Sequence, residues 1–334
     1  MFALAYMSFT HTGILCWLVM IYSWGLVPLL ELFIKPNTEN MTAAEQELAK
    51  ADKMYDYLLY LVVFIQIPML FFFLHSFVGA QLNVLDIAGR ITSMGMLCGI
   101  FGINVAHELG HRNKSFDQWL AKFSLLTSMY THFFIEHNKG HHKNVATPND
   151  PSSSRYNEMV YFFYFRTISL TYLHAWKISN AEMKKKGKSI FSIENEMLQL
   201  QLLQLALIAT IYFVFGGTIL LYFLTAAFMG ILLLETVNYI EHYGLQRKQT
   251  GENSYERTQP QHSWNSNHAI GRMLLFELSR HSDHHYMASR KYQILQNHEN
   301  APQLPTGYPG SMLLALVPPI WFGIMNKKIK ALEG

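Results

Sequence analysis

Nine histidines fall into three clusters and one outlier, each next to a hydrophobic segment. The clusters are His107-Glu108-Leu109-Gly110-His111, His137-Asn138-Lys139-Gly140-His141-His142 and His281-Ser282-Asp283-His284-His285. His242 stands apart in Glu241-His242-Tyr243-Gly244. Imidazole is the commonest metal ligand, and spacings of three or four residues bring two rings to one helix face. On a regular helix His137 and His141 share a face, while His142 is rotated by about 100° and reaches a second ion. The eight clustered imidazoles are too many for one ion and suit two. Without metal, so many imidazoles held together would suppress one another's protonation. Residues 107–111 also spell H-E-x-x-H, the zinc-protease pattern. A protease needs three protein ligands and an open water position, and has no use for the other histidines.

These motifs need elements to hold them, and the composition indicates membrane helices. Half of the 334 residues are hydrophobic. Residues 12–33, 57–78 and 84–106 are each long enough to cross about 30 Å of hydrocarbon. Residues 200–240 are about twice that length, and Gly216-Gly217 divides them into spans 200–216 and 218–240. A shorter apolar stretch, 312–325, is interrupted by Pro318-Pro319. The expected fold is all-α, a polytopic helical membrane bundle with a cytoplasmic, helical, His-rich region, forming a single domain over 1–334. Of the 26 Lys and Arg residues, 12 lie between His107 and Lys188 and 10 follow His242. The positive-inside rule therefore places 107–199 and 241–334 in the cytoplasm and the N-terminus outside. A metal transporter would carry its ionisable residues near the middle of the spans; here they stand at the ends.

The net charge of +3 is too mild for a nucleic-acid partner, and Lys184-Lys185-Lys186 reads as a solvated loop. Cys16 and Cys98 both fall inside predicted spans and supply neither a disulfide framework nor an iron–sulfur cluster. His11, His75, His132, His174 and His298 are expected as amphipathic anchors at the membrane interface. His262 and His268 are placed behind the ligands or beside the substrate, with direct ligation as the alternative. Asp86 and Arg90, one helical turn apart, are expected to pair.

The His motifs, together with Val145 to Arg155, His262 to His268 and Leu304 to Gly310, resemble the integral-membrane alkane 1-monooxygenases over almost the whole chain. These are non-haem di-iron enzymes of the fatty acid desaturase superfamily. The His boxes alone are shared with desaturases and sterol oxidases; Glu241-His242-Tyr243-Gly244 and Thr147 to Arg155 are the more specific features. The resemblance implies nine ligands for two iron ions: His107, His111, His137, His141, His142, His242, His281, His284 and His285. Spacing alone leaves the metal open, since imidazole also suits zinc, copper and nickel. Metal-bound histidines usually donate their other N–H to a carboxylate or carbonyl. Glu108, Glu136, Asp150, Glu241 and Asp283 are therefore candidates for that role, with solvated pairing to Arg112, Arg155 or Arg280 as the alternative.

The implied reaction is terminal hydroxylation of n-alkanes to primary alcohols, with one atom of O2 entering the methyl group and the other leaving as water. With no flavin, dinucleotide or Cys-cluster motif in the chain, the implied donor is a rubredoxin reduced by an NAD(P)H-dependent reductase. The protein would be multi-pass in the inner (plasma) membrane, with the active site on the cytoplasmic side and the substrate arriving through lipid. A channel walled by Met, Phe, Leu and Ile from the first three spans favours a neutral hydrocarbon. Ser23 and Trp24, one turn before Pro28, are expected to set its length. An aryl-methyl monooxygenase of the xylene type fits the same motifs, as does a fatty-acyl desaturase or hydroxylase. The chain departs from the family in one respect: it shows one span fewer at its N-terminal end.

Overall fold

The computed structural model describes residues 1–252 and 254–333. Four helical segments are long and apolar enough to cross a membrane: Gly13–Phe33, Met54–His75, Val84–Gly110 and Glu196–His242. The fourth is not continuous. Gly216 adopts φ 84° and ψ 169°, a conformation that only glycine takes without strain, and this breaks the segment where the sequence predicts a division. A further apolar pair, Tyr308–Ala315 and Pro318–Leu332, is bent by 118°. The described residues are overwhelmingly helical, relieved by one small hairpin of Gln249–Gly251 with Ser254–Tyr255.

Contacts gather the chain into two compact units. The first comprises Met1–Ser23, Asp56–Asn138 and Tyr172–Leu234; the second comprises Trp24–Tyr55, Lys139–Thr171 and Glu235–Gly334. Each is assembled from three separated stretches.

In the first unit small residues let the helices approach closely, as is common in membrane packing. A Cβ on Gly89 would lie 2.6 Å from Cys16 Cβ, and one on Gly230 would lie 2.6 Å from Cys98 Cβ. The two cysteines thus serve as buried packing residues. Val84–Leu97 begins with a capping box, in which Asn83 Oδ1 accepts from the Asp86 amide and Asp86 accepts from the Asn83 amide. Asp86 Oδ1 also accepts from Gly13 N at 2.6 Å. Arg90 donates to the carbonyls of His11 and Ser76. The pairing of Asp86 with Arg90 expected from their spacing therefore does not form; helix capping and two loop carbonyls take up both side chains.

In the second unit Trp321 is fully buried against Tyr239 and Tyr243, and Trp264 Nε1 donates to the Tyr243 carbonyl. This aromatic packing fixes the end of the long helix that carries Glu241 and His242.

Three helical segments contain π-helical turns: Ile21–Leu26, Cys98–Ile103 and His137–His141. Such turns bond each residue to the fifth rather than the fourth along, and they occur often at functional sites. The first holds Ser23 and Trp24 just ahead of Pro28, which lacks an N–H to donate.

Candidate metal centre

In the first unit, His107 comes from the last turns of Val84–Gly110, and His111 follows at its end. His137 opens the π-helical turn His137–His141. His137 Nε2 and His111 Nε2 are 3.2 Å apart, and the rings of His107 and His137 meet edge to face at 4.4 Å. Phe133 stacks on His137 with centroids 4.6 Å apart and planes 24° apart. Glu108 is engaged by Arg112, whose Nη1 also meets Asp56 at 3.0 Å. Glu136 bonds to His174 at 3.0 Å.

The second unit contains a denser group. The ligand nitrogens of His141, His242, His281 and His285 lie within 4.8 Å of one another, and all four side chains are buried. His141 Nε2 is 3.2 Å from His285 Nε2, and His281 Nε2 is 3.3 Å from His242 Nε2. His142 turns elsewhere, with its Nε2 3.1 Å from His284 Nε2. A regular helix predicts that His137 and His141 share a face. The observed turn is π-helical, in which the fifth residue rather than the fourth returns to a given face.

Carboxylates back the four-histidine group. Asp150 Oδ2 lies 2.9 Å from His141 Nδ1, and Ser153 Oγ donates to the same oxygen at 2.6 Å. The Ser152 amide donates to Asp150 Oδ1. Burial opposes ionisation of Asp150, but His141 and Ser153 outweigh it and hold the carboxyl below its ordinary range. Glu241 Oε2 lies 3.2 Å from His281 Nε2, while its Oε1 accepts from the Tyr308 hydroxyl at 2.8 Å. Burial, reinforced by the surrounding imidazoles of His281, His142, His141 and His242, pushes His285 well below the usual histidine range. It is therefore neutral at neutral pH and offers a lone pair.

Asp283 lies among the ligands of its helix but faces a loop. It is bonded by Arg290 at 2.5 and 2.6 Å, by His298 Nε2 at 2.7 Å and by the Gln296 amide. His298 and His174 are thus partners of buried carboxylates, and His132 is itself buried, so none of the three is an interface anchor. His262 Nδ1 accepts from the Gln259 amide, and its Nε2 approaches Glu256 at 3.2 Å. His268 Nδ1 lies 3.0 Å from Ser266 Oγ. Motif reading missed Tyr308, Ser153, Arg290 and Phe133. Tyr308 and Ser153 carried a signal, as parts of Leu304 to Gly310 and Thr147 to Arg155.

Four buried imidazoles, one backed by a carboxylate, fit a first-row transition ion. Fold and site together define a polytopic helical membrane protein with buried histidine clusters suited to metal binding. The sequence profile of the fatty acid desaturase family matches residues 87–311. Alkane 1-monooxygenase of Ectopseudomonas oleovorans is 38% identical over 324 residues, covering 96% of this chain and 80% of the relative. Alkane 1-monooxygenase 1 of Alcanivorax borkumensis is 38% identical over 322 residues, again covering 96% and 80%. The hydroxylase component of xylene/toluene monooxygenase from Pseudomonas putida is 30% identical over 250 residues, covering 73% of this chain and 64% of the relative. The chain belongs to the alkane 1-monooxygenase family, within the broader fatty acid desaturase family.

Proposed function

We propose that this protein hydroxylates the terminal methyl of n-alkanes to give primary alcohols. The observation that carries the reading is the buried group of four imidazoles with Asp150 behind His141. The relatives' activity supports it. In this reading two non-haem iron ions are held by the nine histidines. His141, His242, His281 and His285 serve one ion, and His142 and His284 stand outside that group. Iron so held supplies O2 activation.

The chain's own tasks follow from its geometry. Asp150 accepts the Nδ1–H of His141, which fixes the tautomer and turns the Nε2 lone pair inward. Burial of all four rings excludes water from an oxidising centre. Ser23 is buried beside the half-buried Trp24, and we assign the pair to the channel that sets how far an alkane chain reaches. Glu108, Glu136, Asp150, Glu241 and Asp283 complete the surroundings of the ligands, with Asp283 acting through its loop. The distribution of basic residues supports a multi-pass inner-membrane protein, a single functional domain with its centre on the cytoplasmic side. Electrons then come from a rubredoxin and its NAD(P)H-dependent reductase.

Purified protein is tested with 18O2 and octane. Labelled 1-octanol is expected only when rubredoxin and reductase accompany NADH. Turnover with NADH alone would overturn the donor assignment, and a product lacking label would overturn the monooxygenase reading. The likeness to the xylene/toluene enzyme favours a second reading, hydroxylation of aryl methyl groups. Toluene oxidised in preference to octane would select it.

A further inference from the structure

The stretch His262 to His268 adds no nitrogen to the four-histidine group, yet three of its residues hold the chain around two of that group's rings. The Trp264 amide donates to the Glu241 carbonyl at 2.8 Å, and its indole Nε1 donates to the Tyr243 carbonyl at 2.9 Å. Trp264 thus grips the residues on either side of His242. Asn265 Oδ1 accepts from the Ser282 amide at 2.9 Å, and the Ser266 amide donates to the Ser279 carbonyl at 2.9 Å. These two residues bracket His281. All three are buried. They are anchored in turn by residues 302–304, where the Asn265 amide donates to the Pro302 carbonyl and the Leu304 amide donates to the Asn265 carbonyl, both at 2.8 Å. His242 and His281 are 39 residues apart in sequence, but their Nε2 atoms are 3.3 Å apart. The helix His281–Tyr286 has only six residues, too few to be stable alone, and its first amides have no partner within it. Asn265 gives one of them an acceptor from a distant segment, as an N-cap side chain would. Its Nδ2 meets no protein acceptor, so the amide is placed for its oxygen.

Building on the di-iron reading above, we propose that Trp264, Asn265 and Ser266 form a strut that fixes the separation of His242 and His281, with Asn265 as its main positioning residue. The strut acts on both rings through the backbone that carries them. Rings already held at their working separation lose little freedom when an ion binds, which raises affinity. Asn267 provides the internal contrast. It is buried in the same stretch, but its Nδ2 donates to Asn297 Oδ1 and Gln303 Oε1 instead.

The test is chelator competition and Mössbauer spectroscopy of the 57Fe-loaded, anaerobically reduced protein, with thermal unfolding of the metal-free protein measured alongside. Asn265→Leu is expected to weaken iron retention at one site by about 10- to 100-fold. It should broaden or shift only the doublet that disappears in His285→Ala. Asn265→Asp keeps an acceptor oxygen and should recover part of the retention. Trp264→Phe keeps a ring, loses the N–H donor and should weaken the same site by less. Asn267→Leu should lower the unfolding temperature about as much as Asn265→Leu, with iron retention and both doublets close to wild type. Equal iron loss in Asn265→Leu and Asn267→Leu would show a merely structural role and overturn the proposal. Unchanged retention in Asn265→Leu, or a change confined to the other doublet, also overturns it. Should Asn265→Leu fail to fold, Trp264→Phe compared with Asn267→Leu decides by the same criterion. None of these readings uses turnover, so protein that shows them yet leaves alkanes untouched refutes the proposed function and supports the strut.

Discussion

The histidines of the first unit and the four gathered in the second use one ligand type in different surroundings. His107 and His137 lie beside the Phe133 ring, and the neighbouring Glu108 is engaged in a buried cluster with Arg112 and Asp56. In the four-histidine group two rings carry a carboxylate, Asp150 on His141 and Glu241 beside His281. An H-E-x-x-H glutamate is thus not equivalent to a glutamate in E-H-Y-G, although each adjoins a ligand histidine. Where the carboxylate points decides whether it supports the fold or tunes the metal.

Removing a ligand from the denser group should have the largest effect. His285→Ala is expected to insert in the membrane, to keep about one iron of two and to lose hydroxylation by more than about 100-fold, beyond the usual range for a ligand's supporting partner. Iron content and product yield check this, and near wild-type activity would remove His285 from the ligand set. His142→Ala should be as inactive but should lose the other iron. If both variants lose the same ion, the division of ligands is wrong.

Next come the two carboxylates. Asp150→Asn should weaken iron retention at one site by about 10- to 100-fold, measured by competition with a chelator. Glu108→Gln should instead lower thermal stability, by about 3 kcal/mol, because it leaves Arg112 less well compensated in a buried site. Its iron retention should stay close to wild type. Equal effects of the two changes on iron retention would erase the contrast between the regions.

A smaller effect concerns acid stability of the first unit. Burial pushes His132 from 6.5 to about 3, so it stays neutral when folded. Below about pH 6.5 the unfolded chain gains a proton that the folded chain does not take. Stability is therefore full above that pH and falls by about 1.4 kcal/mol per unit as pH drops towards 3. His132→Gln should flatten this limb in denaturation of the metal-free protein, and an unchanged slope would show that other groups govern it.

The mildest change is in selectivity. Ser23→Trp should shorten the longest alkane accepted and Trp24→Ser should lengthen it, because bulk in a closed apolar channel sets how far a chain enters. Alcohols formed from a graded alkane series report this. Identical profiles in both variants would exclude the first span from the channel.

Much of the fold was legible because its determinants are local. Membrane-length apolar runs require helices, since lipid offers no partner to an unpaired backbone group, and Gly216 marks its own break by supplying a positive φ. The histidine clusters were legible because several histidines lie within one turn of each other. The face assignment of His137 and His141 failed because a π-helical turn has no signature in a spacing rule. The Asp86–Arg90 pair failed because a helix start and loop carbonyls competed for the same side chains.

Sequence alone determined the number of histidines in each cluster and the apolar segments that carry them, because composition and short-range periodicity encode these. Tertiary structure decided which carboxylate serves which ring. Asp150 reaches His141 across nine residues, Tyr308 reaches Glu241 across 67, and Asp283 faces Arg290 and His298 although it sits among ligands. A carboxylate has many possible partners within reach along the chain, and only the packed fold removes all but one of them.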